Sequence, residues 1–208
     1  MDIRLISKFG YIKIAVCGVL FILSVCLNFL WILFGLLFVF MLWFYRNPER
    51  ECSEQKSAVF SPVDAKVVAI RKVAYENEEF VEVLMKKRFW GVGVLRSPFD
   101  AADVDVKFRG GLGLYSTNQF TNLLNRRTSF AGENEEGKRV VVRFFDGIFG
   151  SIKFTKKQNL VAGRRMGFMR DGKVGILVPL DYHICVDLGT KVRACGQVAY
   201  RRESAEVA

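Results

Sequence analysis

The sequence predicts a mostly β domain, a sandwich or barrel, standing behind an apolar N-terminal anchor. Three observations predict it. The 32 residues from Ile14 to Tyr45 carry no charged side chain. From residue 58 the pattern changes to short runs rich in Val, Ile and Phe, punctuated by Gly and Pro. What remains after position 45 suffices for one ordinary domain with its own core. Residues 1–45 therefore read as the anchor and 46–208 as a single β domain. Disordered, collagen-like and multidomain chains are excluded, as is a purely soluble one.

A single membrane helix needs about 20 apolar residues, and the first run is half as long again. It reads either as one long tilted helix or as a tight hairpin broken near Asn28, whose amide is the most polar group in the run. Arg4, Lys8 and Lys13 precede the run, and Arg46 and Arg50 follow it. Basic residues on both flanks favour both ends in the cytoplasm, hence the hairpin. Trp31, Trp43 and Tyr45 suit headgroup-level positions. A cleaved leader would carry an apolar stretch of only about 7–15 residues and a small-residue cut site. This run ends in Trp-Phe-Tyr-Arg, so a retained anchor is expected.

Elements of the domain follow in order. Ser61-Pro62-Val63-Asp64 is a turn that opens a strand over 65–70. Further strands are expected over 80–85, 90–95, 139–144, 174–179 and 182–186, with two more around glycine turns between 188 and 200. Residues 120–127 form the one short helix expected, with Thr117 or Asn118 as its cap. The residues from Arg201 onward read as a frayed tail.

Of the net charge of +10, most lies beyond residue 45, where 28 Lys and Arg face 20 Asp and Glu. A basic domain held at a bilayer gains roughly 1 kcal/mol per basic residue near anionic lipid. No helix-turn-helix, zinc-finger spacing or aromatic nucleic-acid motif is visible, so anionic phospholipid is the expected partner and nucleic acid is not. The pairs Lys86-Lys87, Arg126-Arg127 and Lys156-Lys157 read as solvated turns and faces. Cys17, Cys26, Cys52, Cys185 and Cys195 form no Cys-x-x-Cys and no disulfide framework, which suits a reducing compartment. With one histidine in the chain, a metal site is not expected.

Several short motifs stand in a fixed order: Tyr45-Arg46-Asn47-Pro48-Glu49-Arg50 after the anchor, Ser61-Pro62-Val63-Asp64-Ala65-Lys66, Ser97-Pro98-Phe99-Asp100, Glu133-Asn134-Glu135, Gly163-Arg164-Arg165-Met166-Gly167-Phe168, and Gly189-Thr190-Lys191-Val192-Arg193-Ala194-Cys195-Gly196. Over nearly the whole chain this series resembles the short, membrane-anchored phosphatidylserine decarboxylases. The last motif also looks like a lipoyl or biotinyl carrier hairpin, which implies a barrel-sandwich-hybrid fold.

The resemblance implies a zymogen that cuts itself at a Gly-Ser bond and converts the serine to a pyruvoyl group, whose ketone captures the amine of phosphatidylserine. An aspartate, a histidine and the serine are the groups such an enzyme needs. Asp64 matches the aspartate, although Ala65 replaces the glycine after it. Where the histidine belongs, the chain reads Asp100-Ala101-Ala102-Asp103. Gly172 matches the cleavage glycine, but Lys173 follows it instead of serine. A lysine amine condenses with carbonyl compounds and cannot stand in for an enzyme carbonyl. His183 lies downstream and reads as a surface or satisfied core residue. One other Gly-Ser bond exists, at Gly150-Ser151, 22 residues before Gly172; Ser151 is the alternative nucleophile, and a turn is the ordinary reading of that segment. Arg164 and Arg165 are candidate contacts for lipid phosphate.

Three functions follow. One is a degenerate, non-self-processing relative in phospholipid metabolism, on the cytoplasmic side of the inner membrane, binding anionic lipid or assisting another protein or a second copy of itself. A second is an active pyruvoyl-dependent decarboxylase, a carboxy-lyase making phosphatidylethanolamine, with a displaced nucleophile. A third is a membrane-tethered adaptor or lipid-binding module.

Overall fold

Asn28 and Leu30 adopt left-handed backbone angles, with φ of 50° and 48°, and they split the apolar run in two. Helix α1 (Tyr11–Cys26) and helix α2 (Trp31–Phe44) flank that turn. The helices are antiparallel: Gly18 faces the ring of Phe38 and Gly35 faces the ring of Phe21, small residues making room for large ones. This is the hairpin, and the single long helix does not form. The structure is a computed structural model in which residues 5–53, 57–114, 119–134, 137–150, 152–155 and 159–201 are described. At 16 and 14 residues the two helices reach roughly 24 and 21 Å, against a hydrocarbon core of about 30 Å. Among the described residues, no helix is long and apolar enough to cross a membrane.

The hairpin docks through its base. Phe44, Tyr45 and Phe9 surround Phe168, and Tyr45 stacks on it at 5.2 Å between ring centroids. Phe40 and Phe44 hold Trp90 and Phe89 at 5.9 and 5.0 Å. That engagement draws residues 89–91 into a turn, so the strand expected over 90–95 begins only at Val94.

The β domain is built from thirteen strands among the described residues. Seven form one antiparallel sheet: β2 (Ala65–Tyr75), β3 (Glu78–Lys87), β5 (Val104–Arg109), β6 (Arg127–Glu133), β7 (Arg139–Asp146), β10 (Gly172–Pro179) and β12 (Lys191–Val192), in the order β12-β2-β3-β10-β7-β6-β5. A three-stranded sheet contains β1 (Ala58–Phe60), β13 (Gln197–Arg201) and β11 (Tyr182–Ile184). Another contains β4 (Val94–Arg96), β9 (Arg165–Phe168) and β8 (Lys153–Phe154). Strands β5 and β6 extend the expected set. The short helix α3 (Gln119–Leu124) stops before residue 127, because the Leu112 N–H donates to Leu124 O and the Arg126 N–H donates to Leu112 O at the entry to β6.

One face of the large sheet, with Val67, Val83, Met85, Phe144, Val174 and Ile176, packs on the smaller sheets and forms the main core. Each fully buried side chain of this kind contributes about 1.5–3 kcal/mol. The other face is concave. Glu76, in the two-residue turn between β2 and β3, bonds Arg139 on β7 and Lys107 on β5, which are distant in sheet order. The sheet must therefore curl around Phe80, Ala131, Val141 and Leu177.

Two further expectations are corrected. Cys52 and Cys195, separated by 143 positions, form a disulfide, so the cysteines are not all free. Lys87 is not solvated but fully buried. Its position in the alternation Val83, Met85, Lys87 places it on the core face.

Candidate functional site

Gly172 opens β10 with φ +134°, a backbone region closed to other residues. It stands opposite Lys87 on one side and Asp146 on the other. The Lys87 ammonium donates to the carbonyls of Arg170 (2.8 Å), Arg88 (2.9 Å) and Gly91 (3.1 Å), so all three of its hydrogens are used. Burial pulls its pKa down to about 8, against the opposing pull of Asp171 and Asp64. Asp171 is also buried, and its carboxylate accepts the N–H groups of Ile148 (2.9 Å) and Phe149 (3.2 Å).

Asp64 therefore shares an electrostatic neighbourhood with Gly172 through Lys87. Its carboxylate is already engaged, by the Arg50 guanidinium at 3.0 Å and by the Ala194 N–H at 2.8 Å. It is more than a turn former: it ties the linker after the hairpin to the turn before β13.

The structure also brings together two positions that lie far apart in sequence. The turn Gly147–Gly150 rests on the segment before Gly172, because Asp171 binds its amides and Arg170 donates to Phe149 O at 2.9 Å. Gly150 thus stands beside the Gly172 region; Ser151 itself lies outside the described residues. Asp146, at the foot of this turn, accepts the Ile152 N–H, and burial raises its pKa. His183 is not brought to this place. It is exposed on β11, edge-on to Tyr200, beyond the far end of β10, which is about 23 Å from Gly172 at the usual strand rise. Ala101 pairs with Leu160 and faces Gly132, also toward the end of the sheet away from Gly172.

A family profile described as "Phosphatidylserine decarboxylase" matches residues 37–200. The chain belongs to the phosphatidylserine decarboxylase family. It is 28% identical over 203 residues to proteins named phosphatidylserine decarboxylase proenzyme from Burkholderia ambifaria, Burkholderia multivorans and Burkholderia vietnamiensis, covering 93% of this chain and 94% of each relative. No solved structure matches.

The pyruvoyl group implied by the family resemblance can be tested against the residues present. Gly172 carries no side chain, and Lys173 offers an amine buried against Asn122, to whose Oδ1 it donates at 2.6 Å. No hydroxyl stands there to become a ketone. Ser61 and Ser97 are buried, and their hydroxyls are spent on the carbonyls of Val63 and Phe99. The residues at 172–173 do not fit the group. Among the described residues, no cluster of three or more potential ligands could hold a metal.

Arg164 and Arg165 line a cleft of about 970 Å³ between residues 6–9, the linker 47–53 and strands β4 and β9. Arg165 pairs with Glu49 at 3.2 Å. Sequence reasoning missed the central cation of this wall. Arg96 is buried and donates to Gly163 O (2.9 Å) and Pro48 O (2.8 Å), both backbone carbonyls. Burial lowers its pKa, and Arg165 and Arg50 push the same way. Lys156 and Lys157 lie outside the described residues, as do Thr117, Asn118, Glu135 and the tail beyond Arg201.

Proposed function

We propose that this chain is a non-self-processing member of the decarboxylase family that holds anionic phospholipid in the cleft beside its helical hairpin. The absence of a hydroxyl after Gly172 carries the first half of this reading. In the family's chemistry the ketone comes from that side chain, and an amine cannot supply it. The cleft supports the second half: Lys8, Arg50, Arg96, Arg164 and Arg165 outnumber Glu49, Glu51 and Asp100 along its walls. Guanidinium groups bind phosphate through paired, charge-assisted hydrogen bonds.

Residues 1–45 serve as the anchor and 46–208 as a barrel-sandwich-hybrid-like domain. The hairpin enters one leaflet rather than spanning both. Its outward residues, among them Val16, Ile22, Leu33, Leu36 and Val39, are exposed and apolar. Trp90, Ile148 and Phe149 continue that apolar surface onto the domain's rim. The flanking basic residues favour the cytoplasmic face of the inner membrane. Alkylation of the exposed Cys185 in intact cells and in inverted vesicles tests that orientation.

Intact-mass measurement of the purified chain tests the first half. One uncut species near 23.7 kDa, with no carbon dioxide released from phosphatidylserine, is expected. Two fragments would sink it. Flotation with vesicles of phosphatidylserine or of phosphatidylcholine, at low and high salt, tests the second half. Arg96→Gln with Arg164→Gln should weaken the anionic preference by on the order of tenfold.

One observation favours a second reading, an active decarboxylase with Ser151 as nucleophile: the Gly150 turn is bound directly to Asp171, beside the family's cleavage position. Fragments meeting at Gly150 and residue 151, lost in Ser151→Ala, would establish it.

A further inference from the structure

The seven-stranded sheet ends on two unlike edges. One is β12, only two residues long. The other is β5, which runs for six residues and pairs with β6 position by position, without a shift of register. Among the described residues no strand, bridge or backbone hydrogen bond meets its outer side. Natural sheets blunt such an edge with a proline, a bulge or a very short strand. Strand β5 has none of the three. From Asp105 to Arg109 it is exposed on both faces, with Val106 at 49% and Phe108 at 68%.

Its residues form an inverted repeat of charge. From Asp103 to Arg109 they are Asp, Val, Asp, Val, Lys, Phe and Arg, with Val106 at the centre. When this strand is laid antiparallel against its own copy about a two-fold axis at Val106, Asp105 stands opposite Lys107 and Asp103 opposite Arg109. Val104 stands opposite Phe108, and Val106 opposite itself. Side chains directly opposite in an antiparallel pair share a face, with Cβ atoms about 4.5–5.5 Å apart, where opposite charges and apolar pairs attract and like charges repel. Moving the axis by one residue either way sets Asp105 or Lys107 against itself, so the charges select one register. Lys107 is already held by Glu76 and by its own Asp105. An ammonium with three hydrogens has one left for the second copy's carboxylate.

The axis of such a pair is perpendicular to the sheet at β5. Three strand steps separate β5 from β10. At roughly 20–25° a step they turn the local sheet normal by about 60–75°, towards the direction of β10. This brings both Gly172 ends, and the hairpins docked beside them, towards one side of the pair, as two anchors in one membrane require.

We infer that β5 is a homodimer edge: it pairs with β5 of a second copy of this chain, antiparallel about Val106, and joins the two large sheets into one. A ladder this short gives a weak, concentration-dependent pair.

The test follows the full-length chain in detergent by sedimentation, from about 1 to 100 μM. A monomer–dimer equilibrium is expected. Asp105→Lys sets lysine against Lys107, and Lys107→Asp sets aspartate against Asp105. Each alone should weaken dimerisation on the order of tenfold. Mixed in equal amounts, the two variants meet with opposite charges at both positions, so the dimer should return as a heterodimer. Misfolding of a variant could not be rescued in this way. Under oxidation Val106→Cys should cross-link two copies above the background of the unaltered chain, because position 106 faces itself within disulfide reach. Asp105→Cys should not, since its two copies lie diagonally, about 7–8 Å apart. A chain that stays monomeric throughout overturns the inference, as does a dimer that neither charge variant weakens or that mixing does not restore. A Val106→Cys cross-link no stronger than background, or no stronger than that of Asp105→Cys, overturns the axis at Val106.

Discussion

On the core face of the large sheet Lys87 is enclosed by three carbonyl oxygens, with Asp171 and Asp64 close enough to act on it. On the concave face Lys173 meets one amide oxygen among the described residues, and the charges that act on it are those of Lys86 and Arg71. Both lysines are buried, and both are drawn to about the same pKa. Burial alone therefore does not decide how much a lysine contributes to the fold. The acceptors it meets do, because each carbonyl that loses its donor is left unpaired.

The sharpest way to break this comparison is Lys87→Met. It leaves three partly buried carbonyls without their donor and removes a cation that acts on Asp171 and Asp64, so denaturant unfolding should show a loss of about 3–5 kcal/mol. A loss below ~1 kcal/mol would mean that Lys87 is as dispensable as Lys173. Asp171→Ala removes the acceptor of two amides in the Gly147–Gly150 turn and should lose about 2–3 kcal/mol by the same measurement.

Lys173→Met should cost little at neutral pH and should instead change the pH profile. The folded pKa of Lys173, about 8, lies below its ordinary 10.5. Between those values the unfolded chain holds a proton that the folded chain has released, so stability rises with pH across that window. The substitution should remove about 2 kcal/mol of the rise between pH 8 and pH 10. An unchanged profile would show that Lys173 keeps its ordinary pKa. Smallest is Arg50→Ala. Its ion pair with Asp64 is partly solvated, and the change should stay within about 1 kcal/mol. A larger loss would mark the linker as a structural clamp.

Much of the fold could be read from residue patterns. Asn28 in the apolar run marked the hairpin turn. The period of two in Val81, Val83 and Met85 set the core face of β3, and the same phase would have revealed Lys87 as buried had it been extended two residues. Strand β5 was legible in the strict alternation of Val104, Val106 and Phe108 with Asp105, Lys107 and Arg109, whereas β6 has only Phe130 and Ala131 as apolar residues among Thr128, Ser129 and Gly132 and carries little local signal. The Trp90 segment misled in the other direction. Its apolar residues serve the hairpin's aromatic cluster rather than a ladder. At the candidate site, Asp64 and Gly172 stood in motifs visible in the sequence, whereas Asp171 and Arg96 carried no motif. Their roles come from what they bind across the chain.

The sequence by itself determined the uncharged apolar run, the predominance of short strands, the order of the short motifs, and the lysine that follows Gly172. These depend on residue identity and short-range periodicity, which the chain carries locally. Only the tertiary structure decided that Cys52 meets Cys195, that the Gly150 turn rests on Asp171, and that Lys87 is held by three carbonyls while Lys173 lies against Asn122. Each is a contact between segments far apart along the chain. Sheet order and curl select such partners, and no local pattern encodes them.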